Sequence, residues 1–438
     1  MKDRIIYQLF LRPFTAEGTI KAAEEKLSHI ASLGVDTVYL TSCCKADGDD
    51  NEAHFSPRQK ASKTGNPKNP YRISDYYALD EEYGTHDDLK SFVNTAHSLG
   101  LEVLFDVVFL HCGPHPVFLL EHPDFVKRDE KGSVICNAWC FPEINFESAE
   151  LRRYLIDNML FWTKEFDFDG FRCDVGDQIP LDFWADAICE LRKLKPSAYM
   201  LNEGVKPEYT QVFDSNYNFL WTQAIQTVIR RQNPASFLKK TDEDCRKTYA
   251  SNSYFCLRAL ENHDYANDHY ENRPDKALPR EAVDLAHIID LMMDGIPFIY
   301  NGNEIADGCR HSIWGNREYG GFCIDWSKAD SSEGQARLEL IKNAISLRAS
   351  RPWLFDAETF WLDNSQNDKL VSFARKGGEC TLIILANVSD TDLKAEVDLP
   401  IKAKTVSEIW SRDAKLEKAD ENLDASLGKY GFAILAIE

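Results

Sequence analysis

Phe168-Asp169-Gly170-Phe171-Arg172-Cys173-Asp174 is a short apolar run that ends in an arginine and a carboxylate two residues apart. Successive strand residues point to opposite faces, so Arg172 and Asp174 share a face, where the cation can hold the carboxylate ionised. A carboxylate held that way is prepared to act as a nucleophile. One Arg-x-Asp alone is more often a structural ion pair. Three further apolar runs nevertheless end in His, Asp or Glu and follow one another along the chain. They are Asp106-Val107-Val108-Phe109-Leu110-His111, Leu201-Asn202-Glu203 and Glu261-Asn262-His263-Asp264.

Side chains at strand ends need a frame that gathers them. Residues 4–10 read as a first strand, 20–33 carry apolar residues at helical spacing closed by Gly34, and 35–40 read as a second strand. A strand, a helix and a strand in so few residues predict a parallel βα unit. The polar stretch 42–70 predicts a long loop. Thr85 caps a helix ending at Gly100, and 101–108 form the third strand. The helix at 149–166 leads into the central strand, and 182–194 predict another helix before a fifth strand at 198–202. A weaker strand is expected near 212–213, then a helix with Trp221, a seventh strand at 255–260, a helix at 280–294 and an eighth strand with its loop at 295–304.

Eight such repeats predict an α/β chain whose catalytic unit is a (β/α)8 TIM barrel over 1–355, with a short insertion at 112–148. Beyond residue 350 the runs at 359–362, 369–375, 380–387, 393–399, 406–410 and 430–437 are short and β-patterned. They predict a C-terminal antiparallel β-sandwich over 356–438.

A formal charge of -21 over 438 residues repels polyanions, which argues against nucleic acid or an anionic membrane and favours a neutral or cationic ligand. Aromatic residues make up 12% of the chain, nine of them Trp, a composition that suits stacking on sugars as well as core packing. The twelve cysteines lack the paired spacing of a zinc site, Cys136-x3-Cys140 included, and the N-terminus has no apolar signal core. No apolar run is long enough to cross a bilayer. Reduced thiols in a cytoplasmic protein are expected.

The four stretches, in this order and at these distances, resemble the signature regions of glycoside hydrolase family 13, the α-amylase family, over roughly residues 1–350. The resemblance implies that Asp174 is the nucleophile, Glu203 the acid and then the base, and Asp264 a third carboxylate that grips the sugar as it distorts. It places Tyr71, His111, Arg172 and His263 among the substrate-binding residues, with Tyr71 of Pro70-Tyr71-Arg72-Ile73-Ser74-Asp75-Tyr76-Tyr77 stacking on the sugar ring. Asp106 is implied as structural support. Leu110 stands where many members carry an asparagine that binds calcium; leucine offers no such oxygen, so no calcium is expected there, and no metal or cofactor in the chain.

Phe141-Pro142-Glu143-Ile144-Asn145 resembles the cyclomaltodextrinase and neopullulanase subgroup, and Val175-Gly176-Asp177-Gln178 lacks the Lys-His pair of secreted amylases. The first strand at residues 4–10 leads to the expectation of a barrel not preceded by that subgroup's N-terminal domain. The implied partner is a short α-glucan oligosaccharide, cleaved with retention by carboxyl groups ~5 Å apart. Transglycosylation on the same site and a silent sugar-binding relative remain open alternatives, as do bond type and oligomeric state.

Overall fold

The structure, a computed structural model, describes residues 4–249, 256–268, 270–399, 405–419 and 422–437. Eight parallel strands carry the fold: β1 (Ile6–Leu9), β2 (Thr37–Leu40), β3 (Glu102–Val107), β4 (Gly170–Cys173), β5 (Tyr199–Asn202), β6 (Ser215–Asn216), β7 (Leu257–Ala259) and β8 (Ile296–Tyr300). Their hydrogen-bonded order runs β6-β5-β4-β3-β2-β1-β8-β7. A parallel bridge between Asn216 and Cys256 joins the two ends and closes the barrel.

Period-two alternation decides what faces the axis. Ile6, Tyr39, Leu104, Tyr199, Leu201, Leu257, Ile296 and Phe298 fill the barrel interior as one buried cluster, while their neighbours Val38, Val103, Phe105, Phe171 and Met200 pack outward against the helices. Continuing the inward positions toward the C-terminal ends gives Gln8, Asp106, Arg172, Asp174 and Glu203. The register opposes Asp106 to Arg172 and Cys173 to Asn202, so these side chains converge at one height. Gly170 makes the close approach of β4 to β5 possible, because a Cβ there would lie 1.9 Å from the carbonyl oxygen of Tyr199.

The expected central helix is Ala149–Phe166, capped by Ser148. The expected 20–33 helix is instead two short pieces, Ile20–Glu24 and Leu27–Ala31. The sixth strand lies at Ser215–Asn216, two residues beyond the apolar pair Val212-Phe213, because Val212 and Phe213 close the 3-10 turn Pro207–Gln211 and Phe213 is buried. The start of the seventh strand at Phe255 lies outside the described residues. The 42–70 loop is less irregular than its composition suggests: Cys44–Ala46 pairs antiparallel with Ile73–Leu79, and Pro57–Ser62 is helical.

The C-terminal strands are β9 (Glu358–Trp361), β10 (Leu370–Gly377), β11 (Cys380–Asn387), β12 (Leu393–Asp398), β13 (Val406–Ala419) and β14 (Asn422–Ile437). All pairings are antiparallel, and β14 pairs with β13 along its length while β11 and β12 share its other edge. Val371, Phe373, Ile384 and Ile434 join the barrel's outer core, whereas Ile383, Leu385, Val397 and Leu435 form a second core on the opposite side of the sheet. Strands β13 and β14 run well past the expected 406–410 and 430–437. Their extra residues alternate polar positions with single apolar ones such as Leu416, Leu423 and Leu427, so a search for continuous apolar runs misses them.

Two predictions follow from this packing. Gly170→Ala forces a methyl group into backbone and should destabilise the chain by ~3 kcal/mol or more, read by denaturant unfolding. Asp290, on helix Arg280–Met292, accepts the Trp221 indole N–H at 2.7 Å while its other oxygen is buried without a partner, and burial pushes its pKa up to about 7. An acid raised above its unfolded value of ~3.9 costs stability as pH climbs from there through the folded pKa. Asp290→Asn keeps the acceptor for Trp221 and cannot ionise, so it should raise Tm at about pH 8, by up to ~4 kcal/mol of stability, and leave it nearly unchanged at about pH 4. Equal shifts at both pH values would remove the ionisation cost from the account.

Candidate active site

The inward side chains at the strand ends meet around one guanidinium. Arg172 is fully buried and contacts three carboxyl groups: Nη1 donates to Asp106 Oδ1 at 2.8 Å and Asp174 Oδ1 at 2.9 Å, and Nη2 lies 2.7 Å from Glu203 Oε2. One cation facing three acids leaves a deficit of positive charge. Burial raises Asp174 above the ordinary carboxylate range, Arg172 opposes this, and the charge of Glu203 adds to it. Burial likewise raises Glu203, against Arg172 and the Val175 N–H and with support from Asp264 and Asp106. The two titrate as a pair that retains a proton beyond the range of free carboxylates. Burial, and the division of one cation among three acids, thus work against the expected hold of Arg172 on the Asp174 charge.

Backbone strain helps to aim the pair. Val175 follows Asp174 with φ +44, a left-handed conformation unusual for a β-branched residue, and this turn directs its N–H onto Glu203 Oε2 at 2.8 Å. Strained backbone beside strand-end carboxylates marks a functional turn that the sequence does not announce.

Asp106 also accepts the hydroxyls of Tyr39 at 2.6 Å and Tyr71 at 3.1 Å through Oδ2. A relay backs it. The Gln8 amide donates to His263 Nδ1 at 2.8 Å, so the ring proton sits on Nε2 and points to the Tyr71 oxygen at 2.8 Å. Both His263 nitrogens are thus engaged by protein, a difference from the expected contact with sugar hydroxyls. The Tyr71 ring lies nearly parallel to that of His263, centroids 5.3 Å apart.

His111 Nε2 meets the Tyr71 carbonyl at 2.9 Å and must carry the proton, leaving Nδ1 buried with no partner. Burial brings its pKa down to about 4, so the ring is neutral near pH 7. Leu110 packs against the core, and its carbonyl accepts from Ile144.

Asp264 stands apart from the Arg172 group with a cation of its own. Arg58 Nη2 approaches Asp264 Oδ1 at 2.6 Å, and His263 Nε2 lies 3.6 Å from Oδ2. Withdrawal from water raises this acid, but His263 and Arg58 overcome that and hold it well below the usual carboxylate range. Arg58 comes from helix Pro57–Ser62 in the loop after β2, where Ser56 caps the first turn and buried Gln59 ties back to the carbonyls of Asn66 and Pro67.

A cavity of about 110 Å³ opens among these groups, lined by Asp174, Glu203 and Asp264 and walled by Tyr71, Trp139 and Trp314. Tyr71, His111, Asp174, Glu203, His263 and Asp264 all border it, whereas Asp106 and Arg172 lie beneath. Sequence reasoning missed Arg58, Trp139 and Trp314. Trp139 sits two residues before the Phe141-Pro142 motif, a signal that was available; Arg58 carries none.

The family described as alpha amylase, catalytic domain, matches residues 8–129 and 136–372. The chain is 24% identical over 428 residues to an alpha-amylase 2 of Dictyoglomus thermophilum, covering 89% of this chain and 70% of that protein. It is also 24% identical over 498 residues to a cyclomaltodextrinase of Geobacillus thermopakistaniensis, covering 100% and 77%. A crystal structure of a noncanonic maltogenic alpha-amylase from Thermotoga neapolitana superposes with a TM-score of 0.83 at 23% identity over 99% of each chain. With a barrel whose C-terminal mouth gathers these carboxylates and a family match over most of its length, the chain belongs to the α-amylase family of glycoside hydrolases.

Proposed function

We propose that the chain hydrolyses α-glucosidic bonds in malto-oligosaccharides and similar short α-glucans, with retention, through a covalent glycosyl-Asp174 intermediate. The observation that carries this reading is Asp174 and Glu203 bound to adjacent nitrogens of one buried guanidinium while Asp264 faces them with a separate cation. Glycosidic cleavage needs one protonated and one ionised carboxyl group beside the anomeric carbon, and a pair holding one proton supplies both. Glu203 carries that proton, gives it to the leaving oxygen and takes one from water in the second step. Asp174 attacks, its ionised form steadied by Arg172 as the Glu203 proton departs.

Asp264 stays ionised and accepts from ring hydroxyls, with Arg58 fixing its carboxylate. Tyr71 and Trp139 offer faces to the sugar. His263 acts as a positioning residue that orients Tyr71 through its Nε2 proton, and Asp106 does the same for Arg172. The short substrate range agrees with the names of similar proteins, among them an intracellular maltogenic amylase of Bacillus subtilis, 24% identical over 395 residues. No helix among the described residues is long and apolar enough to cross a membrane. All twelve cysteines are free thiols, which supports a reducing, cytoplasmic setting.

Asp174→Asn should cut kcat on maltotriose by at least ~10³-fold while leaving the circular dichroism of the fold near wild type. A variant that still turns over would move the nucleophile elsewhere. Proton NMR of products from maltotriose and β-cyclodextrin should reveal the α-anomer first; longer products would indicate transfer to sugar, and silence on both substrates a binding protein. Arg58→Met should lower kcat/KM about 10-fold, chiefly through KM, by removing a charge-assisted hydrogen bond from Asp264. An unchanged KM would reduce Arg58 to an ordinary rim ion pair.

A further inference from the structure

Away from the cavity, two loops bring together a second set of side chains with a different chemistry. Asp49 and His54 lie in the loop after β2, and His115 in the loop after β3. His54 Nδ1 is 2.5 Å from Asp49 Oδ2, and His115 Nε2 is 4.0 Å from Asp49 Oδ1. One ligand atom from each falls within 4.8 Å of the others.

The backbones that carry these groups are fastened by one buried side chain. Asp47 accepts the Asp49 N–H through Oδ1 at 2.9 Å and the His115 N–H through Oδ2 at 2.6 Å, so a single carboxylate clips both loops together. Gly113 allows this approach: a Cβ there would stand 2.6 Å from Asp47 Oδ2. Arg72 donates to the carbonyls of Asp47 and Asp49 from below. Asn51 accepts from Ala53 and caps the single 3-10 turn Glu52–His54 that presents the His54 ring. The carboxylate is therefore preset, with 13% of its side chain exposed, while the His115 ring is 68% exposed.

We propose that Asp49, His54 and His115 bind one zinc ion, with water at the fourth position. Two imidazole nitrogens and a carboxylate oxygen form a set suited to zinc rather than to calcium or magnesium, which prefer all-oxygen shells. Ligand atoms around a tetrahedral zinc stand ~3.3 Å apart, so the ion would displace the proton between His54 and Asp49 and draw His115 inward. The consequence is a clamp between the loop that leads through Arg58 to Tyr71 and the loop that follows His111. It departs from the expectation of a metal-free chain, which rested on Leu110 and on the spacing of cysteines and took no account of residues 49, 54 and 115.

The test uses the full chain stripped with chelator. Cobalt(II), as a spectroscopic substitute, should give d–d bands at one equivalent without a thiolate charge-transfer band, and His115→Ala and His54→Ala should lose them. Zinc should raise the Tm of the wild type by several degrees more than that of His115→Ala, whose exposed ring is not needed for folding. The twelve cysteines are common to both proteins, so their binding cancels in that difference. Bands that persist in His115→Ala, a thiolate band, no uptake, or an equal effect from calcium would each overturn the proposal.

Discussion

A single buried guanidinium sets the terms for this site. Arg172 has no exposure, and three carboxyl groups from β3, β4 and the end of β5 converge on it. Burial works against its charge, yet Asp106 and Glu203 raise its affinity for the proton well above normal, so it stays a cation. Removing one partner from such a buried pair costs ~3–5 kcal/mol, since the remaining charge has nowhere to be solvated. The arginine thus makes the mouth of the barrel an electrostatic unit whose members cannot be moved singly.

The barrel makes that unit possible by geometry rather than by local preference. Inward positions deep in the strands are apolar and fill the axis, while the next inward positions along β1, β3, β4 and β5 are Gln8, Asp106, Arg172, Asp174 and Glu203. Tyr39 and Tyr217 place rings 5.6 Å from the Arg172 carbon, so the cation rests on aromatic faces between the apolar plug and the polar mouth. Strand register aligns these residues at one height. A slip of one residue in β4 would turn Arg172 and Asp174 into the helical layer, where neither could be solvated.

What was legible in the sequence follows the same division. Side chains on regular strands could be placed, because period-two alternation and the order of the four stretches fix their face and height; Asp106, Arg172, Asp174 and Glu203 belong to this class. Arg58, Trp139 and Trp314 sit on connections, and no periodicity says where a loop returns. The long arms of β13 and β14 escaped because their inward positions are single small or aliphatic residues, Ala414, Leu416, Leu423, Ala425 and Leu427, set between charged ones with no continuous apolar run. The 42–70 loop hid a helix for the related reason that Pro57–Ser62 is short and buries only Gln59.

The division between two cations also resolves a problem that any carboxylate-lined sugar site must meet. Three acids in one cavity repel one another, yet the proposed chemistry requires exactly one of Asp174, Glu203 and Asp264 to be protonated. Sharing Arg172 with Asp106 leaves Asp174 and Glu203 short of positive charge, so the proton settles between them. Asp264 has Arg58 at 2.6 Å and His263 at 3.6 Å beside it and releases its own. Deeper burial of Asp174 and Glu203 and an unequal provision of cations together favour the proton on that pair, and the second cation is supplied by a loop that is not part of the barrel.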